Sequence, residues 1–132
     1  MINMFVKNLF LSGILLLIYL PIGNGHHSVA LQFDMTKDVT IVGSIVEMEW
    51  RNPHSWLHIE VANELGEPEL WRVEFGSANA LYRRGWRRDD LPVGLSVTIH
   101  GIPSRDGSRQ IEGDEVLLSD GRSLFSGTGP GN

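Results

Sequence analysis

The sequence predicts a mainly β protein, a small five-stranded OB-like barrel with one short helix between strands 3 and 4. Three observations carry this reading. Several segments are β-branched or alternate apolar and polar residues with the two-residue period of a half-buried strand. Their order is three strands, a helix, then two strands, which is that of the OB barrel. The chain, at 132 residues, has room for one small core, and closing the sheet removes exposed edges. An open five-stranded sheet with the same helix is the alternative architecture.

The N-terminus comes first. Residues 1–8 carry Lys7 and no acid, and the 14 residues from Leu9 to Ile22 are apolar apart from Ser12 and Gly13. A short basic start followed by such a run is the pattern of a secretory signal, and the run is shorter than the ~20 residues needed to span a bilayer. Two cut points satisfy the small-x-small requirement. Gly23-Asn24-Gly25 would release His26 as the new N-terminus, whereas Ser28-Val29-Ala30 would release Leu31 and discard both His26 and His27. The expected organisation is a signal peptide over 1–25, a single barrel domain with an N-terminal leader over 26–125, and a flexible tail over 126–132, in a periplasmic or secreted protein.

Charge and cysteine content narrow the chemistry. Removing residues 1–25 leaves 10 Lys and Arg against 16 Asp and Glu, a net charge of −6 with neutral histidine. That balance disfavours nucleic acid, whose phosphates reward a basic face, and it disfavours an anionic membrane surface. The chain has no cysteine, which removes thiolate metal sites, thiol catalysis and covalent haem attachment. Any metal would be held by nitrogen, oxygen or thioether.

Along the mature chain, VTIVGSIVEMEW (39–50) is a long β-branched strand with Gly43 as a bend, and Asn52-Pro53 is a turn. In SWLHIEVA (55–62), Leu57, Ile59 and Val61 point one way and Trp56, His58 and Glu60 the other. NELGEP (63–68) is a hairpin loop, and ELWRVEFG (69–76) turns Trp71, Val73 and Phe75 inward. SANALYRRG (77–85) reads as the helix, with Ser77 as cap and Gly85 as stop. Strand character returns in LSVTIHGI (95–102) and QIEGDEVLL (110–118), the latter bulged at Gly113, and SDGRSLF makes a terminal hairpin. Trp50, Trp71 and Trp86 are expected in the core. Phe33-Asp34 reads as the point where the leader docks.

HHSVALQFD, VTIVGSIVEMEWRNPHSWLHIEV, FGSANALYRRGWRRDDLPVGLSVTIHG and DGRSLF together resemble an uncharacterised family of small exported bacterial proteins, defined only as a domain of unknown function. The resemblance runs from about His26 to Phe125, and the combination of HHS, W-x-N-P-H and N-A-L-x-R-R-G-W carries it. It implies a double histidine just after the signal, in agreement with a cut at Gly25. Phe33-Asp34, Asn52-Pro53-His54 and Arg84-Gly85-Trp86 match its pattern, whereas His58 and His100 fall outside it. The resemblance implies a fold and a location and brings no activity.

Several residues remain as candidates for function. His26 and His27 are either polar residues of a leader or, once freed by cleavage, metal ligands. A terminal α-amine and the Nδ1 of the same histidine chelate one ion, and a third nitrogen completes a T-shaped histidine brace. Copper(II) favours such tetragonal nitrogen sets. His54, after Pro53 in the loop between the first two strands, is the expected third ligand, since that loop is a ligand-binding edge of the barrel; its alternative is a hydrogen bond at a turn. Trp56 shares the His54 face and could wall a ligand pocket. Arg84 and Arg87 either dock a partner protein or form a solvated helix end offset by Asp89 and Asp90. No nucleophile elbow, phosphate loop or dinucleotide fingerprint is present, so no enzyme is expected. The readings left are a periplasmic copper-binding protein, a barrel that binds a small ligand or partner without metal, and an accessory to a larger exported complex.

Overall fold

The computed structural model describes residues 26–127, with side chains from Val29 onward. The strands are β1 (Val39–Glu49), β2 (Ser55–Ala62), β3 (Pro68–Phe75), β4 (Ser96–Pro103), β5 (Gln110–Leu118) and β6 (Ser123–Phe125). The helices are α1 (His26–Gln32) and α2 (Ala78–Arg83), and a 3-10 turn covers Arg88–Asp90. The sheet order is β3-β2-β1-β4-β5-β6, and a further parallel pairing of β3 with β5 closes the five main strands into a barrel. The expected OB-like barrel is therefore observed, with α2 between strands 3 and 4. The alternative open sheet is ruled out by the pairs Arg72–Gln110, Val73–Ile111 and Glu74–Glu112.

β1 serves two neighbours. It pairs with β4 through Val39–Ser44 and with β2 through Ser44–Glu49. Gly43 sits at the change of partner, where an added Cβ would lie 2.4 Å from the Glu60 carbonyl oxygen. One extra residue, Val46, bulges out opposite the Ile59–His58 step. The bulge shifts the inward phase of the strand: Ile41 and Ile45 are buried before it, and Met48 and Trp50 pack against the core after it. β5 carries a second bulge, where Asp114 is the extra residue between Gly113 and Glu115. This is one position beyond the expected site.

The core is formed by Ile41, Ile45, Leu57, Ile59, Val73, Phe75, Val97, Ile99, Ile111 and Val116, with Leu81 and Trp86 closing one end. α2 forms the lid at that end. Ser77 Oγ accepts the Ala80 N–H at 3.2 Å, as an N-cap should, and Leu81 is fully buried. After Gly85 (φ +96°) the chain turns inward and places Trp86 edge-on to Phe75, with ring centroids 5.0 Å apart. The indole Nε1–H of Trp86 donates to the Phe125 carbonyl at 2.9 Å, tying β6 to the lid. Ser126 is buried and its hydroxyl donates to the Gly113 carbonyl at 2.7 Å.

The structure revises two core expectations. Of the three tryptophans assigned to the core, only Trp86 is fully buried; Trp50 and Trp71 pack against it partly buried. Trp71 has the inward parity, but it lies near the start of β3, before that strand pairs with β5, and its Nε1 is buried without a hydrogen-bond partner. The leader also contains a helix, α1, where none was expected. The chain then docks as anticipated: Phe33 is fully buried and bridges Ser104, and Asp34 Oδ1 accepts the Thr36 hydroxyl at 2.7 Å. The proposed signal segment lies outside the described residues.

These contacts set an order of sensitivity. An added Cβ at Gly113 would lie 2.2 Å from Phe75 Cε1 and 2.6 Å from Val73 Cγ1, so Gly113→Ala should destabilise by about 2–3 kcal/mol through overpacking. Trp86→Ala should cost about 3–5 kcal/mol, and more than Trp71→Ala. Urea unfolding midpoints check both, and a Trp71→Ala variant less stable than Trp86→Ala would overturn the burial order.

Candidate functional site

Because Leu57, Ile59, Val73 and Ile111 face the core, their alternates project from the outside of the barrel. Two ranks of side chains result. Glu49, Trp56, Glu74 and Glu112 form one; Glu47, His58, Arg72 and Gln110 form the next. At the upper edge of this face lies the β1–β2 loop, which carries His54.

The loop is pinned on both sides. The Arg51 carbonyl accepts the Ala78 N–H at 2.8 Å, and Asn52 Oδ1 accepts the Asn79 N–H at 3.3 Å, which fastens the loop to the start of α2. The Asn52–Pro53 peptide is cis. Ser55 is buried; its hydroxyl donates to the Arg51 carbonyl at 3.1 Å, and its N–H donates to the Gly76 carbonyl at 3.1 Å.

From this support the His54 side chain reaches Glu74, with Nδ1 2.8 Å from Oε1. The histidine side chain is 47% exposed and that of Glu74 only 11%, so the imidazole is open to solvent while its partner is not. Gln110 Nε2 donates to the other Glu74 oxygen at 3.4 Å. Burial pushes the Glu74 carboxyl above its ordinary range, against the lowering pull of His54 and Arg72. In neutral His54 the bond places the proton on Nδ1, directed at the carboxylate, and leaves the Nε2 lone pair for another partner. A carboxylate behind a histidine is the support that metal-binding imidazoles ordinarily have.

The neighbouring groups are paired among themselves. Glu49 meets His58 Nε2 at 2.6 Å and also binds Arg51. The His58 hydrogen bond and the flanking positive charges hold the Glu49 carboxyl below its usual range. His58 is on the barrel exterior, as expected, yet its side chain is only 16% exposed. Arg72 lies over the Trp56 ring at 4.2 Å from the centroid, so the wall expected from Trp56 is faced by a guanidinium. His100 joins Thr40 through Nδ1 at 2.8 Å.

Arg84 and Arg87 have intrachain contacts. Arg87 Nη1 donates to the carbonyls of Tyr82 (3.0 Å) and Trp86 (2.8 Å), and its backbone N–H to Asp90 Oδ2 (3.0 Å). Arg84 packs on Gly127, where an added Cβ would lie 2.0 Å from its Cζ. His26 and His27 lie in α1, and their side chains are outside the described residues. Among the described residues no group of three or more His, Cys, Asp or Glu converges as a metal site.

Sequence reasoning identified His54 and Trp56 but missed Glu74, Arg72 and Gln110. The signal for two of them was present. Closing the hairpin at Ala62–Pro68 puts Glu74 opposite Trp56 and Arg72 opposite His58, and the loop length sets that pairing. Gln110 could not be placed without the parallel closure.

The model of a family of unknown function (DUF6152) matches residues 20–113. The chain belongs to that family. The DUF6152 match takes in α1, the β1–β2 loop with His54, and Glu74, Gln110 and Glu112, and it ends at Gly113, before β6. No curated protein matches the chain.

Burial of Glu74 predicts a pH effect. A carboxyl whose folded pKa is raised favours the folded state below its unfolded pKa, and that contribution is lost as pH rises through the folded value. Glu74→Gln has no such group. The stability of the wild type relative to Glu74→Gln should therefore decrease from about pH 4 to about pH 7, measured by urea unfolding at each pH. A difference independent of pH, or one of opposite sign, would show that Glu74 is not held by burial.

Proposed function

We propose that this DUF6152 protein is exported, periplasmic or secreted, and binds copper through His54 and the N-terminal histidine of the processed chain. The observation that carries the reading is the His54–Glu74 contact at 2.8 Å. It orients an exposed imidazole and, in the neutral ring, fixes the tautomer that leaves Nε2 as the donor to a metal. One histidine is not a site, and the described residues supply no cluster of three ligands. The other ligands would come from the processed N-terminus, as the α-amine and Nδ1 of His26, or from His27 in a terminal chelate. The absence of cysteine removes thiolate as a donor, and a tetragonal set of amine and imidazole nitrogens suits copper(II). The role would be storage, delivery or sensing, without catalysis. A barrel that binds a small ligand or partner without metal is the second reading, favoured by the Arg72–Trp56 stack beside His54.

Copper(II) should bind the processed chain, beginning at His26, about one to one, as read by calorimetry and electron paramagnetic resonance. His54→Ala should weaken binding, and Glu74→Gln should weaken it about 10–100-fold through the supporting bond. Because amine and imidazole must be deprotonated, affinity should fall as pH drops below ~6.5. A chain with one residue retained before His26 should bind more weakly. Equal affinity of the two forms would eliminate the terminal amine as a ligand. A mature protein that begins at Leu31 would eliminate His26 altogether and leave the metal-free reading.

A further inference from the structure

We propose that the surface formed by the β1–β2 loop, α2 and the Arg88–Asp90 turn docks an acidic segment of a partner protein. This does not rest on metal binding.

The first observation is a separation of charge. The chain has 11 Lys and Arg against 16 Asp and Glu, yet Arg83, Arg84, Arg87 and Arg88 fall within six consecutive residues at the lid. The nearby acids offset them only in part, since Asp89 alone among them makes no ion pair elsewhere in the described residues. Asp90 is engaged by Arg122 at 2.8 Å, and Glu49 is engaged by Arg51 and His58. Arg87 bonds to two carbonyls, which hold its side chain without cancelling its charge. Arg83, Arg84 and Arg88 make no ion pair among the described residues. An acidic protein thus keeps an excess of positive charge at one end.

The second observation is what lies among these charges. Trp50 stacks on Tyr82 with centroids 5.1 Å apart and an interplanar angle of 26°. Arg88 lies over the Trp50 ring at 5.5 Å, and Arg87 over Tyr82 at 5.9 Å. Tryptophan, tyrosine and arginine are the residues that dominate binding energy at protein interfaces. Here they are held before any partner arrives: the Arg51 and Asn52 bonds to α2 anchor the loop, and Asp90 caps the Arg87 N–H. Pre-organisation of this kind lowers the entropy lost on binding.

Charge and shape select the class of partner. A membrane of anionic lipid or a nucleic acid presents charge far beyond this end and would repel the remaining acidic surface. Trp50 is partly buried against the core and does not project as an inserting side chain would. A short carboxylate-rich segment meets only the arginines, which bind carboxylates in bidentate fashion.

The test uses the processed protein, isotope-labelled for NMR and titrated with an oligoglutamate peptide. The indole N–H signal of Trp50 and the Nε–H signals of Arg83 and Arg88 should shift, while the indole of Trp86, bonded to Phe125, should not. Arg83→Glu should weaken binding about tenfold, and Arg88→Gln should weaken it less. Lys37→Glu, an equal change of charge at an exposed lysine elsewhere, should leave it near wild type. No shift, or equal weakening by the Arg83 and Lys37 variants, would overturn the proposal. Arg83-dependent pelleting with phosphatidylserine vesicles would replace the protein partner with a membrane surface. Self-association of the protein alone, abolished by Arg83→Glu, would replace it with a second copy.

Discussion

Three residue pairs between β3 and β5 join the two ends of the sheet, and both the core and the candidate site depend on them. On the inside, Val73 meets Ile111, and Phe75 comes so close to Gly113 that no side chain fits there. On the outside, the same pairing sets Gln110 beside Arg72 and Glu112 beside Glu74. Glu74 thereby loses water, its carboxyl is pushed toward the neutral form, and it becomes a buried support for an exposed histidine. An open sheet would leave Glu74 on a solvated edge with an ordinary acidity. Closure of the barrel is thus also what prepares His54.

A barrel without disulfides must seal its ends by packing, and this one uses Trp86. The ring fills the end of the core against Phe75, and its N–H holds the carbonyl of Phe125. That one hydrogen bond joins the lid to the C-terminal strand, which the Ser126 hydroxyl fastens to β5 at Gly113. Arg84 packs on Gly127 in the same region. A residue that sequence alone offers as a partner contact therefore sits, in the fold, against the protein's own C-terminal strap, and Arg87 is likewise drawn back onto the carbonyls that end α2.

What could be read from the sequence follows from how local each feature is. β2 and β3 alternate cleanly, so the hairpin was legible, but Pro68 belongs to β3 and pairs with Ala62, one residue inside the loop read over 63–68. α2 was legible because Ser77 and Gly85 mark its ends. In β1 the Val46 bulge moves the buried set from odd to even positions, which no simple period reveals. Trp71 has the right parity for the core but stands outside the closed part of the barrel, so parity alone overstated its burial. His54 could be chosen from its place after Pro53. The strand alternation offers Glu74 on the same face, but its burial could not be read, because that depends on β5, more than thirty residues further along the chain.

The β1–β2 loop links the two surfaces on which function is proposed. Trp50, at its start, belongs to the aromatic stack with Tyr82, and His54, at its end, to the pair with Glu74. Between them the backbone of Arg51 is bonded both to α2 and to Ser55. A displacement of Trp50 by a bound segment would strain the Arg51–Ala78 and Arg51–Ser55 bonds before it reached His54. Net hydrogen bonds of this kind contribute about 0.5–1.5 kcal/mol each, and together they oppose such a displacement. A partner held at the arginine end would therefore find His54 in a set position. The two proposals stand on separate observations, but the loop gives them a common frame: whatever docks on Trp50 and Tyr82 is brought beside an imidazole that is already oriented.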